Sequence, residues 1–231
     1  MRRSHSIINQ TVAHTLIATT CLAYLLQFDQ RSCVNHTTVE TYPLFDYAAQ
    51  NWIHHAKSDA DDGSSDTLHK LVLALLQPSS APYTNWLCLH SPDIWGSSEK
   101  CSPLYYTSLT GLERASRSLL SSGSDVNAKG GMYGNPLQAA SAHGHTRIVR
   151  LLLESGADVT TQGGWYGNAL RAASAEGHDE IVQLLLEQGA EDVTPQEGWG
   201  WYSSALEAAS SGGHDKVVRL LEKKGADKHS G

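Results

Sequence analysis

The C-terminal half of the chain repeats itself, and no other feature limits the fold as strongly, because a repeat buries its apolar face against a copy of itself. PLQAASAHGHTRIVRLLLESGADVTTQGGWYGN runs from Pro136 to Asn168, and ALRAASAEGHDEIVQLLLEQGAEDVTPQEGWGWYSS from Ala169 to Ser204. ALEAASSGGHDKVVRLLEKKGADKHSG follows from Ala205 to Gly231, and PLYYTSLTGLERASRSLLSSGSDVNAKGGMYGN, from Pro103 to Asn135, holds the same frame with a weaker pattern. The starts at 103, 136 and 169 are 33 residues apart, and the last step, to 205, is 36.

Each unit reads as two helices and a hairpin. An alanine-rich segment such as Leu137 to Ala142 favours a helix and lets a neighbour approach closely. Gly144, Gly177 and Gly213 break it, and Thr146, Asp179 and Asp215 open a second segment, where an oxygen can accept backbone N–H bonds and a negative charge suits the helix dipole. Ile148, Val149, Leu151, Leu152 and Leu153, like Ile181, Val182, Leu184, Leu185 and Leu186, cover too wide an arc for one partner, so units must stack. Gly156, Gly189 and Gly225 are expected to end these second helices, and Gln162-Gly163-Gly164 to reverse the chain. In the last unit Glu222 stands where Leu153 and Leu186 stood, with Lys223, Lys224 and Lys228 nearby. A terminal repeat has such a polar outer face, so the array is expected to finish here.

These residues resemble the ankyrin repeat, whose TPLH-like opening, AA pair, GH turn, IVxLLL helix and GADVN tail appear in NPLQAASAHGHTRIVRLLLESGADV and NALRAASAEGHDEIVQLLLEQGAEDV. The resemblance implies an all-α ankyrin-repeat solenoid over 103–231, in units 103–135, 136–168, 169–204 and 205–231. It also implies a protein-interaction module that binds by rigid surface complementarity, without catalysis. The family's opening histidine is replaced by Gln138, Arg171 and Glu207, and its threonine by Asn135, Asn168 and Ser204, which leaves open how hairpins are tied to helices.

Residues 1–100 read as a helical segment. Thr11 to Phe28, Leu44 to Ala56 and Thr67 to Gln77 are expected helices, separated by an acidic loop at Ser58 to Asp66 and followed by a break at Pro78 to Tyr83. Trp86, Leu87, Leu89, Ile94 and Trp95 are expected to anchor the connection. Met1-Arg2-Arg3 ahead of an apolar stretch has the look of a secretory signal. Asn9, Gln10, His14, Thr15, Thr19, Thr20 and Gln27 interrupt that stretch, however, and nothing approaches the ~20 apolar residues of a membrane span. Val12, Leu16, Cys21, Leu25 and Phe28 instead recur at near-helical spacing. An intracellular, cytoplasmic protein without membrane partners is the expectation. TLIATTCLAYLLQFD and TYPLFDYAAQNWIHHAKS resemble the helical region ahead of ankyrin arrays in fungal NACHT-type NTPase receptors. That resemblance implies a second reading: a regulatory C-terminal fragment of such a signalling receptor, binding another receptor chain through the N-terminal helices. No GxxxxGK[ST] phosphate loop occurs, so no nucleotide hydrolysis is expected.

The chain has 24 acidic and 17 basic residues with a net charge of -7, and its basic residues form no long run, which argues against a nucleic-acid partner. Cys21, Cys33, Cys88 and Cys101 have neither a CxxC pair nor zinc spacing and read as free thiols. The sequons at Asn9 and Asn35 matter only in a secreted chain. His54 and His55 are adjacent, so on a helix they should point apart rather than clasp one ion. His143, His145, His178 and His214 belong to the repeat turns, where an imidazole can bond to backbone. Without HExxH or GxSxG, no catalytic residue, metal ligand or cofactor is expected.

The candidate site is a set of aromatic hairpin tips: Met132 and Tyr133, Trp165 and Tyr166, Trp201 and Tyr202, with Trp199 beside the last pair. Stacked units would set them in a ladder along one edge. Large rings on protruding loops anchor protein interfaces, though the same rings could pack on one another and stiffen the loops. Gln138, Ser141, His143, Arg171, Glu176 and Glu207 offer a second face. Which surface the N-terminal segment presents depends on whether Val12, Leu16, Leu22 and Leu25 can all be buried.

Overall fold

The computed structural model describes residues 10–29, 40–57, 66–89, 101–191 and 201–229. These hold twelve α-helices in two compact units, residues 1–94 and 95–231. Among the described residues no helix is long and apolar enough to cross a membrane.

The first unit contains α1 (Gln10–Leu25), α2 (Pro43–Lys57), α3 (Asp66–Leu75) and α4 (Ala81–Leu89). α1 packs on α2 and α3, and α4 on α2. Leu22, Leu25, Phe45, Ala49, Trp52, Leu75, Tyr83 and Trp86 form the core. Trp52 and Trp86 meet edge to face at 5.6 Å, and the Trp86 Nε1–H donates to the Ala49 carbonyl at 3.1 Å. The expected break is present at 78–80, but it ends sooner than expected: 81–83 already belong to α4, because Pro82 sits in the first turn, where a missing N–H breaks no hydrogen bond. Trp86 anchors as expected. Ile94, Trp95 and most of the acidic loop lie outside the described residues, and Asp66 begins α3.

His54 and His55 do not simply diverge. α1 brings His14 against them, and one ring nitrogen from each of the three lies within 4.8 Å of the others. Adjacent positions on a helix differ by about 100°, and long imidazole arms reaching to a neighbouring helix close that gap. Burial first, then the nearby His14 and His54 rings, pushes the His55 imidazole below its ordinary value. Burial likewise raises the Cys21 thiol; Cys21, Cys88 and Cys101 are free thiols, and Cys33 lies outside the described residues.

The second unit is a stack of helix pairs. First helices α5 (Pro103–Thr110), α7 (Pro136–Ala142), α9 (Ala169–Ala175) and α11 (Ala205–Ser211) pack on one another in sequence order. Second helices α6 (Glu113–Ser121), α8 (Thr146–Glu154), α10 (Asp179–Glu187) and α12 (Asp215–His229) pack similarly alongside. Asn135, Asn168 and Ser204 each cap a first helix, their side-chain oxygens accepting from the backbone N–H of Gln138, Arg171 and Glu207. The second helices differ from expectation at their starts. His145 and His178, not Thr146 and Asp179, occupy the cap positions, without a side-chain cap bond.

Those histidines instead tie each unit to the one before. Nε2 of His145, His178 and His214 lies 3.2, 3.3 and 2.9 Å from the carbonyls of Leu109, Ala142 and Ala175. The preceding glycine turn makes room: a Cβ on Gly144, whose φ is +72°, would stand 2.6 Å from the His178 ring. At the far end α12 runs through Gly225 to His229, although Gly225 was expected to stop it. A helix-interior glycine costs about 1 kcal/mol, which helix formers such as Leu220, Leu221, Glu222, Lys223 and Lys224 offset.

Candidate protein-binding edge

The hairpins between units are built on close backbone approach. Gly163 and Gly167 pair across a tight reversal, with N···O 2.8 Å from Gly163 to Gly167. Any side chain at Gly164, where φ is +66°, would run into the Tyr133 backbone at 2.2 Å. That closeness lets successive tips bond directly: the Trp165 N–H donates to the Met132 carbonyl at 2.8 Å, and the Trp201 N–H to the Trp165 carbonyl at 3.3 Å.

The six tip residues therefore form the ladder that the repeat period predicted, with two ring stacks on it. Trp165 and Trp201 lie nearly parallel, 4.7 Å apart at 21°, and Tyr133 and Tyr166 lie 6.1 Å apart at 18°. Met132, Tyr133, Trp165, Tyr166 and Tyr202 are half-buried, whereas Trp201 is 70% exposed. The rings pack on one another, and the Trp201 end still presents apolar area to solvent. Trp199 lies outside the described residues.

Tyr166 is also held at its polar end. Its hydroxyl donates to Glu176 Oε1 at 2.5 Å. Burial, this hydrogen bond and the carboxylate charge together push the phenol well above its ordinary value. Tyr133 is met edge-on by His143 at 5.0 Å. The ladder is thus held by stacks and hydrogen bonds within the chain.

The first-helix face differs from expectation. Gln138, Ser141 and Arg171 are buried, not solvated. Gln138 Nε2 donates to the Gly163 carbonyl at 3.0 Å, and Arg171 donates to the Tyr202 carbonyl at 3.2 Å and to Gln162 Oε1 at 3.3 Å. Glu207 Oε2 accepts from the Ser203 hydroxyl and, at 2.8 Å, from the Ser203 N–H, and these bonds lower its carboxyl pKa. The substituted opening residues therefore tie helix to hairpin. Glu176 and His143 remain at the surface beside the tips, bonded to Tyr166 and to the Ala139 carbonyl.

This repeated helix pair, glycine-histidine turn and bonded hairpin define an all-α ankyrin solenoid. Residues 60–163 match the family described as ankyrin repeats in three copies, and residues 168–196 match a single ankyrin repeat; the chain carries ankyrin repeats. A curated relative, the azaphilone pigments biosynthesis cluster protein L of Monascus ruber, is 37% identical over 146 residues, covering 55% of this chain and 30% of that protein. The chain thus spans less than a third of the relative's length.

Proposed function

We propose that the chain is a protein-interaction scaffold that works without turnover, and that its contacts centre on the hairpin tips Met132, Tyr133, Trp165, Tyr166, Trp201 and Tyr202. The observation that carries this reading is the pre-stacked Trp165–Trp201 pair with Trp201 70% exposed. An aromatic group that is already ordered and still open to solvent offers area at little entropic cost. The likeness to a pigment-cluster protein makes a protein of such a biosynthetic cluster a fit partner to test first. Capture experiments with Trp165→Ala/Trp201→Ala should lose the partner at least tenfold while the circular dichroism spectrum stays unchanged. Capture undiminished in a folded double variant would move the contact surface elsewhere.

A second reading is favoured by one observation in the first unit. Leu22 and Leu25 are buried, but Val12 and Leu16 are 60% and 66% exposed, with Leu44 at 65% beside them. Leu16 and Leu44 border an apolar groove on α1 and α2, of about 300 Å³, with Ile17, Tyr24 and Tyr47 on its walls. Such a face suits another protein chain. In that reading the N-terminal helices of a NACHT-type receptor fragment pair with another receptor chain, a likeness that rests on the two sequence segments alone. If the intact chain captures a partner that the 103–231 fragment does not, this reading leads.

A further inference from the structure

Three histidines that neither reading uses converge at the contact between α1 and α2. His14 comes from the first turns of α1, and His54 and His55 from the last turn of α2, about forty residues away in sequence. The Nδ1 atoms of His14 and His55 are 2.7 Å apart, and the ring centroids of the three stand 4.9 to 5.8 Å from one another. Two imidazole nitrogens at that distance are compatible only when one carries a proton and the other offers its lone pair. Protonating both would set like charges face to face. A cation between them would remove the conflict by taking both lone pairs.

We propose that His14, His54 and His55 bind a divalent late first-row transition metal, with zinc as the reference ion. All-imidazole donor sets suit zinc, copper and nickel rather than calcium or magnesium, which require oxygen ligands. Zinc–nitrogen bonds are about 2.0–2.1 Å. Bonds of that length on a tetrahedral ion set the nitrogens about 3.3 Å apart, so rotation of the side chains has to part the 2.7 Å pair and draw in the third nitrogen, which lies within 4.8 Å. His55 is 9% exposed and His14 half-buried, while His54 is exposed and gives the ion an approach from solvent. The three donors leave a tetrahedral ion one further position, to be filled by water.

The surroundings of His55 supply a second, independent element of a site. The Tyr47 hydroxyl lies 3.2 Å from His55 Nε2, on the side of the ring away from His14. With Nδ1 on the metal, Nε2–H donates to that hydroxyl. An outer hydrogen bond of this kind fixes the tautomer and ring orientation of a histidine ligand. Neutral imidazole is the ligating form. Because the donors come from two helices, binding would pin α1 onto α2.

The test uses the full chain without a histidine tag, stripped with chelator and titrated with zinc by calorimetry. One equivalent should bind, and the melting temperature should rise with zinc as expected for a ligand of the folded state. His54→Ala, which alters an exposed side chain and leaves the core intact, and His14→Asn should each weaken binding at least tenfold and remove the thermal shift. Cys88→Ser should change neither. Cobalt(II) in place of zinc should give visible absorption bands that His54→Ala abolishes. No stoichiometric zinc binding by the wild-type chain, or equal binding by a folded His54→Ala chain, overturns the proposal.

Discussion

At the scale of single residues, the clearest dependence of structure on sequence lies in the glycine before each turn histidine. Gly144 has φ +72°, a conformation that costs a side-chain-bearing residue about 1–2 kcal/mol. It also lies under the His178 ring, 2.6 Å from where a Cβ would be. Gly156 has φ +88° with nothing within 4 Å of a Cβ, so it isolates the backbone term. Gly156→Ala should therefore lower stability by about 1–2 kcal/mol, and Gly144→Ala by more, up to about 3 kcal/mol, as His178 loses its bond to the Ala142 carbonyl. Urea unfolding of both variants measures the difference. Equal losses would mean that the ring shifts without cost and that the histidine bridge contributes little.

At the scale of elements, helix positions in the second unit were legible because glycine breaks and apolar spacing recur in step, and the tip ladder was legible because stacked units align equivalent loops. Side-chain direction was less so. Gln138 and Arg171 read as surface residues because they are polar, yet they sit on helices only seven residues long, enclosed by neighbouring first helices and by the hairpins they bond. The His14, His54 and His55 cluster could not be read either, since it exists only once α1 lies against α2. The hairpin after α8 yields an element-level prediction through Tyr166, whose phenol pKa is raised by burial and by Glu176. A phenol whose pKa is higher folded than unfolded contributes stability that is fully present below its ordinary value near 10 and is lost as pH rises above it. The stability advantage of the wild-type chain over Tyr166→Phe should accordingly shrink between pH 9 and 11. An advantage that held constant across that range would place the phenol in free exchange with solvent.

For the ankyrin stack as a whole, burial falls along the first helices and, from α8 onward, along the second helices. The first helices bury all of α5 and α7, six residues of α9 and only Ala205, Ala208 and Ala209 of α11. Among second helices, α8 buries Ile148, Val149, Leu151 and Leu152, α10 buries Ile181, Val182 and Leu185, and Val217 is the buried apolar residue described in α12. The ion pairs that cross between second helices, such as Arg150 with Glu180 at 2.8 Å, are solvent-exposed and add little. Stability in a solenoid is a sum of unit and interface terms, so a unit with few buried groups opens without the rest. Amide hydrogen exchange should show α5 and α7 slowest, α9 and α10 intermediate, and α11 and α12 fastest. Running the exchange at two protein concentrations separates the causes if the order fails. Protection of α11 and α12 that rises with concentration would show a second copy covering that face; protection equal to that of α7 and independent of concentration would mean that the stack unfolds as one cooperative body, against the burial gradient.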